Sequence, residues 1–151
     1  MNFRKPFCST LITLLITFGA VHVAIAQRNT RNVNVVLRTR KDRMYRTFLR
    51  DAIRHPANFA GHYVFEGPGC GMECEMYAAI DKTTGRVIWL PFVIQDWTAM
   101  AEAANENRPI HFSLESNRVT VLGHLVFDDD HTETGRQTWQ LTGERFVRVR
   151  R

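Results

Sequence analysis

Two different spacings of apolar residues follow one another along the chain. Between Asp42 and His55 the apolar side chains recur at helical spacing; they are Met44, Tyr45, Phe48, Leu49, Ala52 and Ile53. This stripe predicts one amphipathic helix with Asp42 as its N-cap. Pro56 ends it, because the residue before a proline is disfavoured in the helical conformation. The opposite side of the predicted helix carries Arg43, Arg46, Arg50 and Arg54.

After Pro56 the apolar spacing shortens to two residues, which is typical of β-strands. Strands are predicted over 62–66, 76–81, 86–91, 110–114, 118–127, 136–141 and 145–150. A glycine-containing hairpin turn is predicted at 82–85, and helix formers at 97–104 allow one or two helical turns. The predicted fold class is therefore α+β, with one N-terminal helix followed by an antiparallel β meander of about six or seven strands.

The N-terminus has a third pattern, that of a secretory signal peptide. Arg4 and Lys5 precede a continuous apolar run at 11–21, and a small-x-small sequence ends at Ala26. This order predicts a signal peptide over 1–26, with cleavage before Gln27. The apolar run is short for a bilayer span of about 20 residues. The expected location is periplasmic or secreted, with no transmembrane span after cleavage.

Charge divides the expected mature chain into a basic N-terminal arm, 27–41, and a single α+β domain, 42–151. Residues 27–54 hold nine basic and two acidic side chains, whereas the full chain has a net charge of only +5. Such asymmetry indicates a polyanion partner, namely envelope phosphates, lipid headgroups or acidic glycans. The favoured explanation is nevertheless a solvated face, or an arm folded onto its own acidic body. Arginines without interleaved aromatic residues favour no nucleic-acid partner.

The reactive side chains are concentrated in one segment, 61–76, which contains Cys70 and Cys74. In an oxidising compartment such a pair predicts a disulfide. The bond would close a glycine-containing loop between two strands. Because the loop is short, the expected stabilisation is about 2 kcal/mol, at the lower end of the usual range.

Two chemical alternatives use the same cysteine pair. Thiolates and thioethers favour Cu(I), and the soft ligand set would comprise His62, Cys70, Met72, Cys74 and Met76. The second alternative is thiol redox chemistry, although the spacing is one residue longer than the usual Cys-x-x-Cys and the flanks predict strands rather than a helix. The sequence therefore predicts no cofactor, with copper as the alternative.

The remaining candidate residues indicate binding rather than catalysis. Trp89 and Trp97 are candidates for a binding surface, together with the arginines of the predicted helix. The chain has no Ser-His-Asp order, nucleophile elbow or phosphate loop. The sequence therefore favours a non-enzymatic binding or inhibitor-type envelope protein. Its expected partner is an envelope protein or a polyanion, and copper-binding or thiol-redox activity is the alternative.

A longer pattern resembles a family of small exported bacterial proteins of uncharacterised function. It comprises NFAGHY at 58–63, GCG at 69–71, Cys74, AID at 79–81 and TGRV at 84–87. The resemblance implies an exported disulfide-containing protein but no particular activity. This chain departs from the family at Pro68, where a tryptophan is common, and has no cysteine in its C-terminal half, where relatives often carry one.

Overall fold

The computed structural model describes residues 33–150, so the predicted signal peptide and the first part of the predicted arm lie outside it. Two short helices come first, α1 (Arg40–Met44) and α2 (Arg46–Ala52). Thr39 begins α1 through a capping box: its hydroxyl accepts from the Asp42 amide at 3.0 Å, and the Asp42 carboxylate accepts from the Thr39 amide at 2.7 Å. This reciprocal pair satisfies two backbone donors that a helix start leaves free.

The first sheet consists of three antiparallel strands in the order β1–β2–β3. These are β1 (Tyr63–Glu66), β2 (Ala78–Asp81) and β3 (Val87–Trp89). All four residues of β2 are buried, because the helices cover one face and the main core covers the other. Val64 and Ile80 pack beneath α2, whereas Phe65 and Ala79 face the main core.

The second sheet has five strands and receives the chain directly after Pro91. The order is β4–β6–β7–β8, and β5 pairs with β6. The strands are β4 (Phe92–Gln95), β5 (Ile110–His111), β6 (Arg118–Phe127), β7 (Thr132–Thr142) and β8 (Arg145–Arg148). A third helix, α3 (Thr98–Ala103), follows β4 and contacts β6.

The main core lies between the two sheets and is rich in aromatic residues. Phe59 is fully buried, and its ring lies 5.1 Å from that of Phe65 and 6.2 Å from that of Phe146. These rings join the first sheet to β8. Burying large aromatic side chains is the main source of stabilisation in a small domain.

The predicted fold class is wrong in its architecture. Residues 33–150 contain three short helices and eight strands in two sheets, rather than one helix and a single meander. Strands β1, β2 and β3 lie within their predicted ranges, but β4 was not predicted. Pro91 explains this difference: it ends the return strand, and the chain passes from one sheet to the other instead of continuing the same hairpin.

The single predicted helix is also wrong. The helical stretch is interrupted at Tyr45, which has φ −97° and ψ 20° and whose ring packs 5.6 Å from that of Trp89. Asp42 is the third residue of α1 rather than its N-cap. The break at Tyr45 accompanies the packing of its ring against Trp89. Asp42 is displaced from the N-cap by a local signal, because Thr39 caps the helix and Asp42 completes the capping box.

None of the helices within 33–150 has the length and apolar character that crossing a membrane requires.

Candidate functional site

The candidate site is the loop that connects β1 to β2, here called the disulfide loop and defined as residues 67–76. Its two ends approach each other very closely at Gly67 and Met76. A Cβ atom at Gly67 would lie 2.0 Å from the backbone oxygen of Met76, so only glycine fits there. This contact closes the base of the loop and directs the segment between the two ends away from the sheet.

The tip of the loop is closed by the disulfide between Cys70 and Cys74, whose Cα atoms are 5.0 Å apart. The Cys70 amide donates to the Cys74 oxygen at 3.0 Å, and the Cys74 amide donates to the Gly71 oxygen at 3.3 Å. Met72 and Glu73 therefore form the central residues of a cross-linked turn. Glu73 adopts a φ of +51°, a left-handed conformation that is uncommon for a non-glycine residue.

Met72 lies at the outermost point of this turn, with 97% of its surface exposed. The next residue, Glu73, is also exposed, whereas Cys74 is half-buried. The fold thus presents an apolar side chain and a carboxylate side by side on a closed turn. A long, flexible thioether can adapt to the shape of an apolar pocket.

The base of the loop is hydrogen-bonded to the second sheet. The Glu75 amide donates to the Ile94 oxygen and the Ile94 amide donates to the Glu75 oxygen, each at 2.8 Å. Two residues farther along the chain, at the first sheet, the Leu90 amide donates to the Tyr77 oxygen at 2.9 Å. The disulfide loop therefore lies at the seam between the two sheets and is held by both.

Electrostatics at the base favour a protonated tyrosine beside an acidic side chain. Burial raises the pKa of Tyr77 to about 12, and the charge of Glu75 and a hydrogen bond to it act in the same direction, while Arg108 partly opposes them. The Tyr77 ring stacks on that of Phe65, with centroids 5.3 Å apart. The phenol thus fixes the base of the loop through packing and through a proton that it keeps at physiological pH.

The structure does not bring the predicted soft ligand set together. His62 precedes β1 and lies 3.8 Å from Asp81, whereas the disulfide loop follows the other end of that strand. Met72 points into solvent and Met76 is buried. Within 33–150, no group of three or more His, Cys, Asp or Glu side chains is arranged to hold a metal ion. Copper binding or thiol chemistry by reduced Cys70 and Cys74 stays a prediction.

The two predicted surface tryptophans contact the protein's own interior. The Trp89 indole donates to the Asp42 carboxylate at 2.9 Å and lies beneath the ammonium group of Lys41 at 4.9 Å. Trp97 precedes α3 and packs against the main core. Both side chains are half-buried, so the area that they offer to a partner is small.

The predicted arginine surface is exposed on the first two helices. Arg43 lies on α1, Arg46 and Arg50 on α2, and Arg54 in the turn that follows. The Arg43 guanidinium donates to the Arg38 oxygen at 3.2 Å, and Arg54 lies 4.0 Å from the Asp51 carboxylate. Their charges are therefore mostly open to solvent, as a polyanion-binding surface would require.

Two features of the site were missed by sequence reasoning. The pairing of Glu75 with Ile94 was not predicted, because it joins residues from different sheets. The acidic character of the loop was also not used, although Glu73 and Glu75 flank Cys74 directly in the sequence. The positions of Glu73 and Glu75 on either side of Cys74 are the sequence signal that acidic side chains lie close to Met72.

Comparisons with protein-family models, with curated proteins and with solved structures gave no match to this chain.

Proposed function

We propose that this protein is an exported binding protein that recognises an envelope protein through its disulfide loop, with Met72 as the anchor. One observation carries the proposal: Met72 is 97% exposed at the tip of a turn that a disulfide closes. An apolar side chain displayed in this way loses the free energy that its burial would provide. Burial in a partner's pocket regains it.

Rigidity supports the proposal. The loop is fixed by its disulfide, by the close contact of Gly67 with Met76 and by two hydrogen bonds between Glu75 and Ile94. A preorganised loop loses little conformational entropy when a partner binds it. Flexible surface loops lack this advantage. The rigidity of the disulfide loop therefore favours a role in recognition over a merely solvated turn.

The acidic side chains around the disulfide loop indicate the chemistry of the partner's surface. Exposed Glu73 lies beside Met72, and half-buried Glu66 and Glu75 flank the base of the loop. The complementary surface is an apolar pocket with a positively charged rim. A polyanion would be repelled by this loop, so the polyanion expected from the sequence belongs at Arg43, Arg46, Arg50 and Arg54 on the helices.

Export is the cellular setting of the proposal. A disulfide between two partly exposed cysteines persists in an oxidising compartment and is reduced in the cytosol. The signal peptide predicted over 1–26 provides the route. The resemblance to small exported bacterial proteins agrees with a periplasmic or secreted location.

The test is photo-cross-linking from one defined position in each of two variants. A photoreactive amino acid replaces Met72 in one variant and Met44 in another; Met44 is 65% exposed on α1 and serves as the matched control. Both variants are expressed with their signal sequence and irradiated in intact cells. We expect a discrete cross-linked protein from position 72 that is absent from position 44.

A second variant links the cross-link to the closed turn. With Cys70→Ser and Cys74→Ser the position-72 cross-link is expected to disappear, while the protein stays folded and its unfolding temperature falls by about 5–10 °C, as a loss of about 2 kcal/mol implies. Identical products from positions 72 and 44, or a cross-link that survives loss of the disulfide, would contradict the proposal.

A further inference from the structure

The methionines in the described part of the chain differ in how far their side chains reach solvent. Met72 is 97% exposed and Met44 is 65% exposed. Met100 is half-buried, and Met76 is buried, with 7% of its surface exposed. Two-electron oxidants convert an accessible thioether to a sulfoxide. The exposures therefore predict that Met72 and then Met44 react first, and that the fold protects Met76.

The disulfide loop both exposes Met72 and leaves it as the reactive sulfur at its tip. Cys70 and Cys74 are joined to each other, so neither offers the thiolate that such oxidants attack. The backbone hydrogen bonds of the turn, from Cys70 to Cys74 and from Cys74 to Gly71, hold Met72 at its outermost point. An oxidant therefore reaches this thioether without any opening of the fold.

We propose that Met72 is an oxidation site, at which hydrogen peroxide converts the thioether to a sulfoxide and thereby prevents recognition by the disulfide loop. The effect on recognition rests on the proposed function, in which Met72 is the anchor. The sulfur lone pair attacks one peroxide oxygen, so that an S–O bond forms as the O–O bond breaks. The departing hydroxide takes the proton from the attacked oxygen and leaves as water. Sulfur loses two electrons, and the peroxide gains them.

Oxidation changes what Met72 offers to a partner. The sulfoxide carries a strongly polar S–O group in place of an apolar thioether. Burying that oxygen in an apolar pocket without a hydrogen-bond donor is unfavourable. Met44 lies on α1, outside the disulfide loop, so its oxidation leaves this surface unaltered. The two exposed methionines thus undergo the same reaction with different consequences.

Treatment of the purified, disulfide-bonded protein with hydrogen peroxide tests the oxidation site without any partner. Tandem mass spectrometry localises the added oxygen. We expect the sulfoxide to form at least about tenfold faster at Met72 than at Met76, because only Met76 must wait for the fold to open. In urea, where the fold no longer protects Met76, the two rates should converge. Equal rates in the folded protein, or slower oxidation at Met72 than at half-buried Met100, would overturn the assignment.

The effect on recognition is tested by photo-cross-linking in intact cells, with a photoreactive amino acid in place of Glu73, which is exposed beside Met72. Peroxide treatment before irradiation is expected to reduce the cross-linked protein at least about tenfold. Met72→Leu keeps an apolar side chain without an oxidisable sulfur, so its product should survive peroxide. The matched Met44→Leu variant should stay as sensitive as the unaltered chain. Equal sensitivity of the two variants would overturn the proposal.

The two measurements separate two kinds of failure. If no cross-linked protein forms even before peroxide is added, the proposed function fails and the effect on recognition falls with it, while the oxidation site stands or falls on the rates alone. If the cross-linked protein forms and persists although Met72 carries the sulfoxide, the proposed function stands and this inference is wrong.

Discussion

Asp42 connects the first helix to the first sheet through one carboxylate. Its oxygens accept from the amides of Arg38 and Thr39 and from the indole of Trp89, at 2.7 to 2.9 Å. Burial by itself would raise the pKa of Asp42, but these hydrogen bonds outweigh it and lower the pKa below 3.8. A carboxylate that is 2% exposed is thus kept ionised by three donors.

Replacing this carboxylate tests its contribution. Asp42→Asn keeps the shape but turns an NH2 group toward at least one donor, so we expect the free energy of unfolding to fall by about 2–3 kcal/mol. Urea titration followed by tryptophan fluorescence measures it. Asp51→Asn on α2 is the control, because that carboxylate is exposed, and its effect should stay below about 0.5 kcal/mol. Indistinguishable curves for the two variants would contradict this account.

Stability at low pH depends on Asp42 and Asp81. Burial would also raise the pKa of Asp81, but hydrogen bonds from Thr83 and Thr84 lower it. Because both pKa values lie below the unfolded value near 3.8, the stabilisation is complete above that pH. It is lost as the pH falls toward the lowered values. We expect the unfolding temperature to be steady from pH 7 to about pH 5 and to drop below about pH 4. A double Asp42→Asn and Asp81→Asn variant should show a shallower drop.

At the scale of elements, the disulfide loop depends on its glycine base as well as on its disulfide. A methyl group at Gly67 would meet backbone atoms of Met76, which cannot rotate away as a side chain can. The base must then widen, which disturbs the end of the β1–β2 ladder at Glu66 and the hydrogen bonds between Glu75 and Ile94.

Gly67→Ala is therefore expected to destabilise the protein by about 3 kcal/mol. The control is Gly143→Ala in the β7–β8 turn, where a methyl group meets nothing but the φ is +60°. That variant should cost only about 1 kcal/mol, from the left-handed conformation. Thermal unfolding by circular dichroism measures both, and a smaller effect at Gly67 than at Gly143 would argue against a close-packed base.

At the scale of the whole molecule, local signals in the sequence predicted elements but not their assembly. Alternating residues located β1 to β3, and Cys70 and Cys74 indicated the disulfide that the structure contains. The change of sheet at Pro91 and the break at Tyr45 depend on partners that are distant in sequence. Trp89 is the clearest example: its indole donates to Asp42, and no spacing along the chain indicates that contact.

The disulfide loop shows the same division. The tip of the disulfide loop is encoded within a few residues, so Cys70, Met72 and Cys74 could be selected from the sequence. The base of the loop instead depends on the pairing of Glu75 with Ile94, which belong to different parts of the fold. Only the assembly of the two sheets brings those residues together, and no spacing along the chain indicates it.

The hydrogen bonds between Glu75 and Ile94 have a consequence for how the molecule opens. Small domains often fluctuate through partial unfolding of one cooperative unit while the rest stays intact. Because the base of the disulfide loop belongs to both sheets, transient opening of either sheet releases it. The shape of the disulfide loop is therefore only as persistent as the less stable of the two sheets.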